Sequence, residues 1–366
     1  MKQRNISFVY IFFLITCSLA AQGLTFSGIL DSSFSFGASD GELSFGVEEY
    51  ANLRMQAKLR ERGTFYGAVN LIAAAGDYAA VGLLDPGQNY AAKIELERLY
   101  FRINFETADL DGGLMRLPFG YGQVWGSSDF LNPKNPLVPD ARPRAVLGAG
   151  LSWYPKDEIK LLGFGTAPRE PFSPNAEGWL TGVSIDRHFD IASIQGLYSF
   201  ETPKYGSKNG IHRAGFSVKA DIKASFVIDA LYTFNYEART GIDGLSFSAG
   251  ADYSFFDGNL FVLAEYLYNG ENSSTAFDIN SNVFGGRDRH YFYAGATWRF
   301  NDFTNMTGAL ILSFDDFSFT PLITLNHDLF QGAVLTIMAQ MRMDSNTFSD
   351  NGSLVFNCSA KLRVRF

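Results

Sequence analysis

Apolar and polar residues alternate with a period of two through nearly the whole chain after its first two dozen residues. Leu24, Phe26, Gly28, Leu30, Phe34 and Phe36 fall on one face, with Thr25, Ser27, Asp31, Ser33 and Ser35 between them. Farther on, Leu43, Phe45, Val47, Ala51, Leu53, Met55, Ala57 and Leu59 share a face against Ser44, Glu48, Asn52, Arg54, Gln56, Lys58 and Arg60. A helix would space its apolar residues three and four apart, so a spacing of two sustained over this length predicts strands. Each strand is apolar on one side and wettable on the other, as an antiparallel sheet allows. The abundance of Phe (35), Tyr (17) and Gly (36) against only 12 Pro suits strands and turns better than helices.

About eighteen such segments follow one another. They start near residues 24, 41, 63, 92, 108, 143, 159, 178, 189, 211, 224, 243, 258, 289, 305, 317, 331 and 350. The connections after even-numbered segments are short, for example Glu61-Arg62-Gly63, Arg187-His188 and Asn301-Asp302. Those after odd-numbered segments include the long stretches 75–91, 119–142, 168–177, 202–210 and 270–288, with short exceptions at 37–40 and Asp315-Asp316. Sorting loop lengths by parity has no purpose in a soluble sandwich, but it is expected of a membrane barrel with short turns at one rim. The expected fold is therefore all-β: a transmembrane, antiparallel, up-and-down β-barrel of roughly 16–18 strands. In the fourth segment the apolar phase switches from Ile94 and Leu96 to Leu99, Phe101, Ile103 and Phe105, which predicts a β-bulge near Glu97-Arg98. Tyr291, Tyr293, Trp298 and Phe300, and Tyr266 with Tyr268, are candidates for an aromatic girdle at the membrane boundary.

The chain starts with the features of an export leader over residues 1–20: Lys2 and Arg4, an apolar run from Ile6 to Thr16, and the small-residue frame Ser18-Leu19-Ala20. The apolar run is too short to span a bilayer. A lipoprotein leader acylated at Cys17 is the rival reading, and Thr16 is bulky for the position before it. Cleavage after Ala20 leaves residues 21–366 with Cys358 alone, so no internal disulfide is available and the barrel must supply the stability. At the other end Leu354, Phe356, Cys358, Ala360, Leu362, Val364 and Phe366 lie on one face, against Val355, Asn357, Ser359, Lys361, Arg363 and Arg365. This resembles the terminal strand of bacterial outer-membrane proteins. The resemblance implies recognition by the barrel-assembly machinery through Leu362, Val364 and Phe366, and residence among the lipids of a Gram-negative-type outer membrane.

A second resemblance covers about twenty residues. Arg116-Leu117-Pro118-Phe119-Gly120 leads into Trp125-Gly126-Ser127-Ser128-Asp129-Phe130-Leu131-Asn132-Pro133-Lys134-Asn135-Pro136, a sequence similar to segments of porin-like outer-membrane families. In general porins the corresponding loop folds into the lumen, so the resemblance implies a constriction here. Its charges are Arg116, Asp129, Lys134, Asp140, Arg142 and Arg144, and opposed signs across a narrow pore sort solutes. The lumen wall is expected to carry Arg54 and Lys58 from the second strand and Arg98 and Arg102 from the fourth.

The chain has a net charge of −8, which argues against a nucleic-acid partner. His188, His212, His290 and His327 show no metal-ligand spacing, and no nucleophile elbow or nucleotide fingerprint is present. An enzyme is not expected, nor a cofactor. The leading expectation is a porin-like channel, monomeric or homotrimeric, for passive diffusion of small hydrophilic solutes. The alternative is a non-conducting barrel that serves as an adhesin or surface structural protein through loops such as 270–288. A transporter for apolar compounds would want a lumen-filling N-terminal segment, whereas strand character begins at Leu24.

Overall fold

The computed structural model describes residues 23–39, 42–59, 61–76, 89–132, 134, 136, 145–168, 178–203, 209–235, 242–270, 289–315, 317–343 and 354–366. The expected export leader, residues 1–20, lies outside them. The strands are β1 (Leu24–Ser39), β2 (Glu42–Leu59), β3 (Gly63–Gly76), β4 (Tyr90–Asn104), β5 (Ala108–Met115), β6 (Val146–Lys156), β7 (Ile159–Thr166), β8 (Leu180–His188) and β9 (Ala192–Glu201). They continue as β10 (Ile211–Asp221), β11 (Ser225–Asn235), β12 (Leu245–Phe255), β13 (Leu260–Asn269), β14 (His290–Asn301), β15 (Thr304–Ser313), β16 (Phe319–Phe330), β17 (Ala333–Met343) and β18 (Leu354–Arg365). Every strand pairs antiparallel with its chain neighbours, and β1 pairs with both β2 and β18. The sheet is thus a closed up-and-down barrel of 18 strands, at the upper end of the expected number, and closure leaves no edge with unpaired backbone groups.

Strands begin within a few residues of their expected places, and the parity of the connections holds. Two- to four-residue connections follow the even strands, such as 105–107, 157–158 and 302–303, and the long connections follow the odd ones. Both ends of the barrel, Leu24 and Phe366, sit at the rim of short turns.

The outward stripes are apolar: Phe26, Leu43, Ile94, Val183, Phe216 and Ile323 are all exposed. Inward positions carry buried polar side chains, among them Asp31, Asn52, Asn70, Ser217, Asp229 and Glu265. An outward apolar belt with a polar interior suits a hydrocarbon surround. Glu49 departs from this pattern, standing on the outward stripe of β2, where the Ser32 hydroxyl donates to its carboxylate at 2.7 Å.

The expected bulge is present. Ala68 opposes Arg98 and the next residue, Val69, opposes Leu96, so Glu97 is the extra residue of β4. It keeps Lys93, Glu95 and Glu97 inward while turning Arg98, Tyr100 and Arg102 inward after it. One expectation fails at the girdle. Tyr291 and Tyr293 face the lumen, Tyr291 being only 3% exposed, because alternation in β14 places Phe292 and Trp298 on the outside instead.

The barrel closes on a pinned seam. Register places Asp31 opposite Arg363, and the guanidinium donates Nε at 2.8 Å and Nη2 at 2.7 Å to the two carboxylate oxygens. Gly28 N donates to Phe366 O at 2.8 Å, and Phe366 N donates back to Gly28 O at 3.1 Å. The terminal ring lies against Gly28 so closely that an added Cβ would come within 2.4 Å of it.

Bidentate arginine–carboxylate pairs are geometrically selective, and removing one partner leaves an uncompensated charge that costs about 3–5 kcal/mol when buried. Asp31→Ala and Arg363→Met are each expected to lower the stability of the refolded barrel in urea titrations from lipid vesicles. The double variant should lose less than the sum of the two; additive losses would mean that the pair does not hold the seam.

Candidate functional site

The chain leaves β5 at Met115 and reaches β6 only at Val146, and the described part of this connection lies inside the barrel. Its base is tied to the bulge. Arg116 Nη2 donates to Glu97 Oε1 at 2.6 Å, with Arg98 Nε 3.3 Å from the same oxygen. Asn52 Nδ2 donates to Glu97 Oε2 at 2.5 Å and to Asn70 Oδ1 at 2.6 Å, and Tyr50 donates to Asn70 Oδ1 at 2.9 Å. Arg54 Nε donates to Asn52 Oδ1 at 2.5 Å. Nearer the short-turn rim, Arg102 forms a bidentate pair with Asp111 at 2.7 and 2.9 Å. Of the four expected wall cations, Arg54 and Arg98 belong to one hydrogen-bonded network around Glu97, and Arg102 forms a separate pair with Asp111, all along an arc over β2–β5. Lys58 faces inward on the same strand as Arg54.

From this base the segment runs inside the barrel over the inner faces of β7, β9, β11 and β13. Gly120 N donates to Gln195 Oε1 on β9 at 2.7 Å. Tyr121 N and Gly122 N donate to the two oxygens of Asp229 on β11, at 3.1 and 2.8 Å. Gln123 N and Val124 N donate to Glu265 Oε2 on β13 at 3.1 and 2.9 Å, and Trp125 N to Oε1 at 3.1 Å. Six consecutive backbone amides thus meet acceptors on β9, β11 and β13, the last eight strands from β5 in the ring of 18. Asp229 and Glu265 are 0% and 2% exposed. Two to three N–H donors on a buried carboxylate stabilise its charge, which desolvation otherwise penalises.

Side chains complete the docking. The Trp125 indole donates to the Glu265 carbonyl at 3.2 Å and its ring lies 5.8 Å from that of Tyr291, beside Val124, Leu267 and Ile311. Phe119 stacks on Phe130 at 5.9 Å and meets Phe164 at 5.2 Å, within a cluster that includes Leu117, Leu131, Leu197 and Leu231. Each such buried Phe or Leu contributes about 1.5–3 kcal/mol. Ser128 and Ser217 hydroxyls meet at 2.8 Å. Arg213 pairs with Glu201 at 2.9 Å and lies over the Phe130 ring at 4.9 Å. The wall under the segment therefore carries apolar side chains among its polar ones on the inward face, contrary to a uniformly polar lumen.

Two glycines permit this approach. A Cβ on Gly120, whose φ is +76°, would lie 2.1 Å from Ser128 Oγ, and one on Gly122 would lie 2.8 Å from Asp229 Oδ2. A side chain at either position would push the amides off their acceptor.

Of the expected loop charges, Arg116 sits at the base, and Asp140, Arg142 and Arg144 lie outside the described residues. Asp129 is only 5% exposed and does not face open lumen. Its Oδ1 accepts from Asn132 N at 3.2 Å and Asn132 Nδ2 at 3.3 Å, while that same Nδ2 reaches Leu117 O at 3.1 Å. Lys134 Nζ donates to the Gly122 carbonyl. Both charges thus serve the segment's own turn. Sequence reading missed Gln195, Asp229 and Glu265. The signal was available for Asp229, an acid whose neighbours on the inward stripe, Val227 and Leu231, are both apolar. Among the described residues no three His, Cys, Asp or Glu side chains are grouped so as to hold a metal ion.

No family model and no curated protein matches the chain in sequence. Solved structures do match in fold. OccAB4 of Acinetobacter baumannii is similar at a TM-score of 0.62 with 9% identity, covering 94% of this chain and 99% of that one. OpdL of Pseudomonas aeruginosa scores 0.61 with 10% identity over 94% and 98% of the two chains. OccAB1 of Acinetobacter baumannii scores 0.60 with 12% identity over 95% and 98%. At these identities the likeness is one of fold.

Burial pushes the Asp129 carboxyl up from 3.8 to about 7, and the Asn132 hydrogen bonds only partly oppose it. The docked segment thus favours the neutral acid, and its stability falls as pH rises from about 4 to about 7. Thermal unfolding in detergent should show a higher midpoint at the acid end of that window. Asp129→Asn, which keeps the Oδ1 acceptor and cannot ionise, should remove the difference; an unchanged pH profile in that variant would assign the dependence elsewhere.

Proposed function

We propose that this barrel spans an outer membrane as a passive channel for small hydrophilic solutes, its lumen narrowed by residues 117–132. The observation that carries the reading is the segment itself. It runs inward from β5 and docks its amides on β9, β11 and β13, so it occupies part of the lumen cross-section of a barrel whose outer face is apolar. An adhesin working through its outer loops has no use for a polypeptide braced across the interior. The shared fold with OccAB4, OpdL and OccAB1 supports the same reading.

In this reading residues 1–20 direct export, and Leu362, Val364 and Phe366 present the terminal strand to the assembly machinery. The outward stripes meet outer-membrane lipid. Solutes pass between the docked segment and the arc of Arg54, Lys58, Arg98, Arg102 and Arg116. The channel is no enzyme and requires no cofactor, because diffusion down a gradient needs only a wet path and a selective width.

Purified barrel inserted into planar bilayers should give stable single-channel steps, and replacing residues 120–132 by a short Gly-Ser linker should enlarge them. A properly folded barrel that stays silent would overturn the channel reading in favour of the adhesin. Steps of unchanged size after the replacement would keep the channel and remove the constriction.

A further inference from the structure

The segment crossing the lumen could owe its position to its apolar anchors, to its own side-chain charges, or to the wall. We infer that Asp229 and Glu265 are the positioning residues of the passage: two wall carboxylates that fix its width by holding the backbone of residues 121–125. The inference rests on the channel reading and adds to it the groups that set the aperture.

Three observations carry it. First, the match of donors to acceptors is complete and sequential. Amides 121 and 122 fill Asp229, and amides 123, 124 and 125 fill Glu265. Secondly, among the described residues neither carboxylate has a cationic partner, so the loop amides are what compensate two fully buried charges. Burying a carboxylate is unfavourable without such donors, which makes undocking of the segment and exposure of the carboxylates to water a single event. Thirdly, the contact is made by backbone, and the residues whose side chains would intervene are Gly120 and Gly122. What fixes the segment is therefore the chemistry of the wall, with the two glycines keeping the loop surface bare.

A carboxylate is specifically suited to this task. It offers two acceptor oxygens and no donor, whereas a carboxamide offers one oxygen and an NH2 group that would face a backbone N–H. Asp229→Asn and Glu265→Gln are nearly the same size as the native residues, so they test acceptor chemistry with little change in packing.

The test is a cycle of single-channel conductance. Asp229→Asn/Glu265→Gln is expected to shift the steps of the wild-type barrel toward those of the variant in which a Gly-Ser linker replaces residues 120–132, and to admit larger uncharged solutes in liposome-swelling assays. In the linker background the same two substitutions are expected to leave the swelling rates for uncharged solutes unchanged, since the acids then have nothing to hold. Heat-modifiable migration on gels confirms that each barrel has folded. Should the double variant misfold, Val124→Pro removes one donor from the loop side without touching the wall and should shift conductance in the same direction. Equal effects of the wall substitutions on the entry of uncharged solutes in both backgrounds would show that they act without the segment and overturn the inference. Unchanged conductance of the folded double variant would overturn it too. A wild-type barrel that gives no steps would instead strike at the channel reading itself.

Discussion

The structure depends on one constraint: a strand at an open sheet edge leaves its amides and carbonyls unpaired, and in the proposed membrane setting no water could bond them, so every strand must have two neighbours. Closure of β1 on β18 satisfies it, and much of the sequence pattern is a consequence. Because side chains alternate, a slip of one residue at the seam would turn the whole of β18 inside out, sending Arg363 outward and Leu362 into the lumen. The seam carries devices against that slip. Asp31 and Arg363 match only in the observed register, and the Phe366 ring finds room only over a residue without a side chain, Gly28.

The same constraint returns inside the barrel in another form. A segment of irregular backbone can lie at membrane depth only where protein or trapped water satisfies it. Residues 120–125 turn without hydrogen-bonding one another, and the wall supplies the acceptors of their amides. Carboxylates meet this need with few residues, since Asp229 and Glu265 together accept five amides. Charge-assisted hydrogen bonds are about twice as strong as neutral ones, and their number offsets part of the loss of water around two buried acids. Aromatic packing of Trp125, Phe119 and Phe130 then excludes water from the contact, which strengthens each of those bonds.

Sequence pattern was a good guide wherever the determinant is local. Period-two alternation marked the strands from Leu24 onward, loop parity placed Phe366 at the short-turn rim, and a change of phase after Leu96 located the bulge at Glu97. It was a poor guide to contacts across the lumen. Trp125 and Glu265 are 140 residues apart, and nothing near either announces the other. The same blindness explains Tyr291: its aromatic character suits a lipid boundary as well as the face of Trp125, and only the register of β14 decides between them. Asp129 looked like a pore charge because acids in polar loops are usually solvated, but the neighbouring Phe119, Phe130 and Leu131 carry it into an apolar cluster. An acid set among apolar residues on an inward stripe is the sign to look for, because a wet lumen would not need those neighbours.

The two ends of the segment are held by different chemistry, and the difference follows from the strands beneath them. At the base the β4 bulge points two successive residues, Glu97 and Arg98, into the lumen, so an acid and a base lie side by side and Arg116 joins an existing network. A regular strand could not do this, since it would have turned Arg98 outward. At the far wall β11 and β13 are regular, and each presents one acid between apolar neighbours with no basic side chain beside it. The compensating donors there have to come from the segment, and its backbone is the part that can supply several at once. In the proposed channel this leaves the walls unequal. The acids of β11 and β13 are covered, whereas the β2–β5 arc keeps its charges uncovered by such a backbone and already ordered by Glu97 and Asp111.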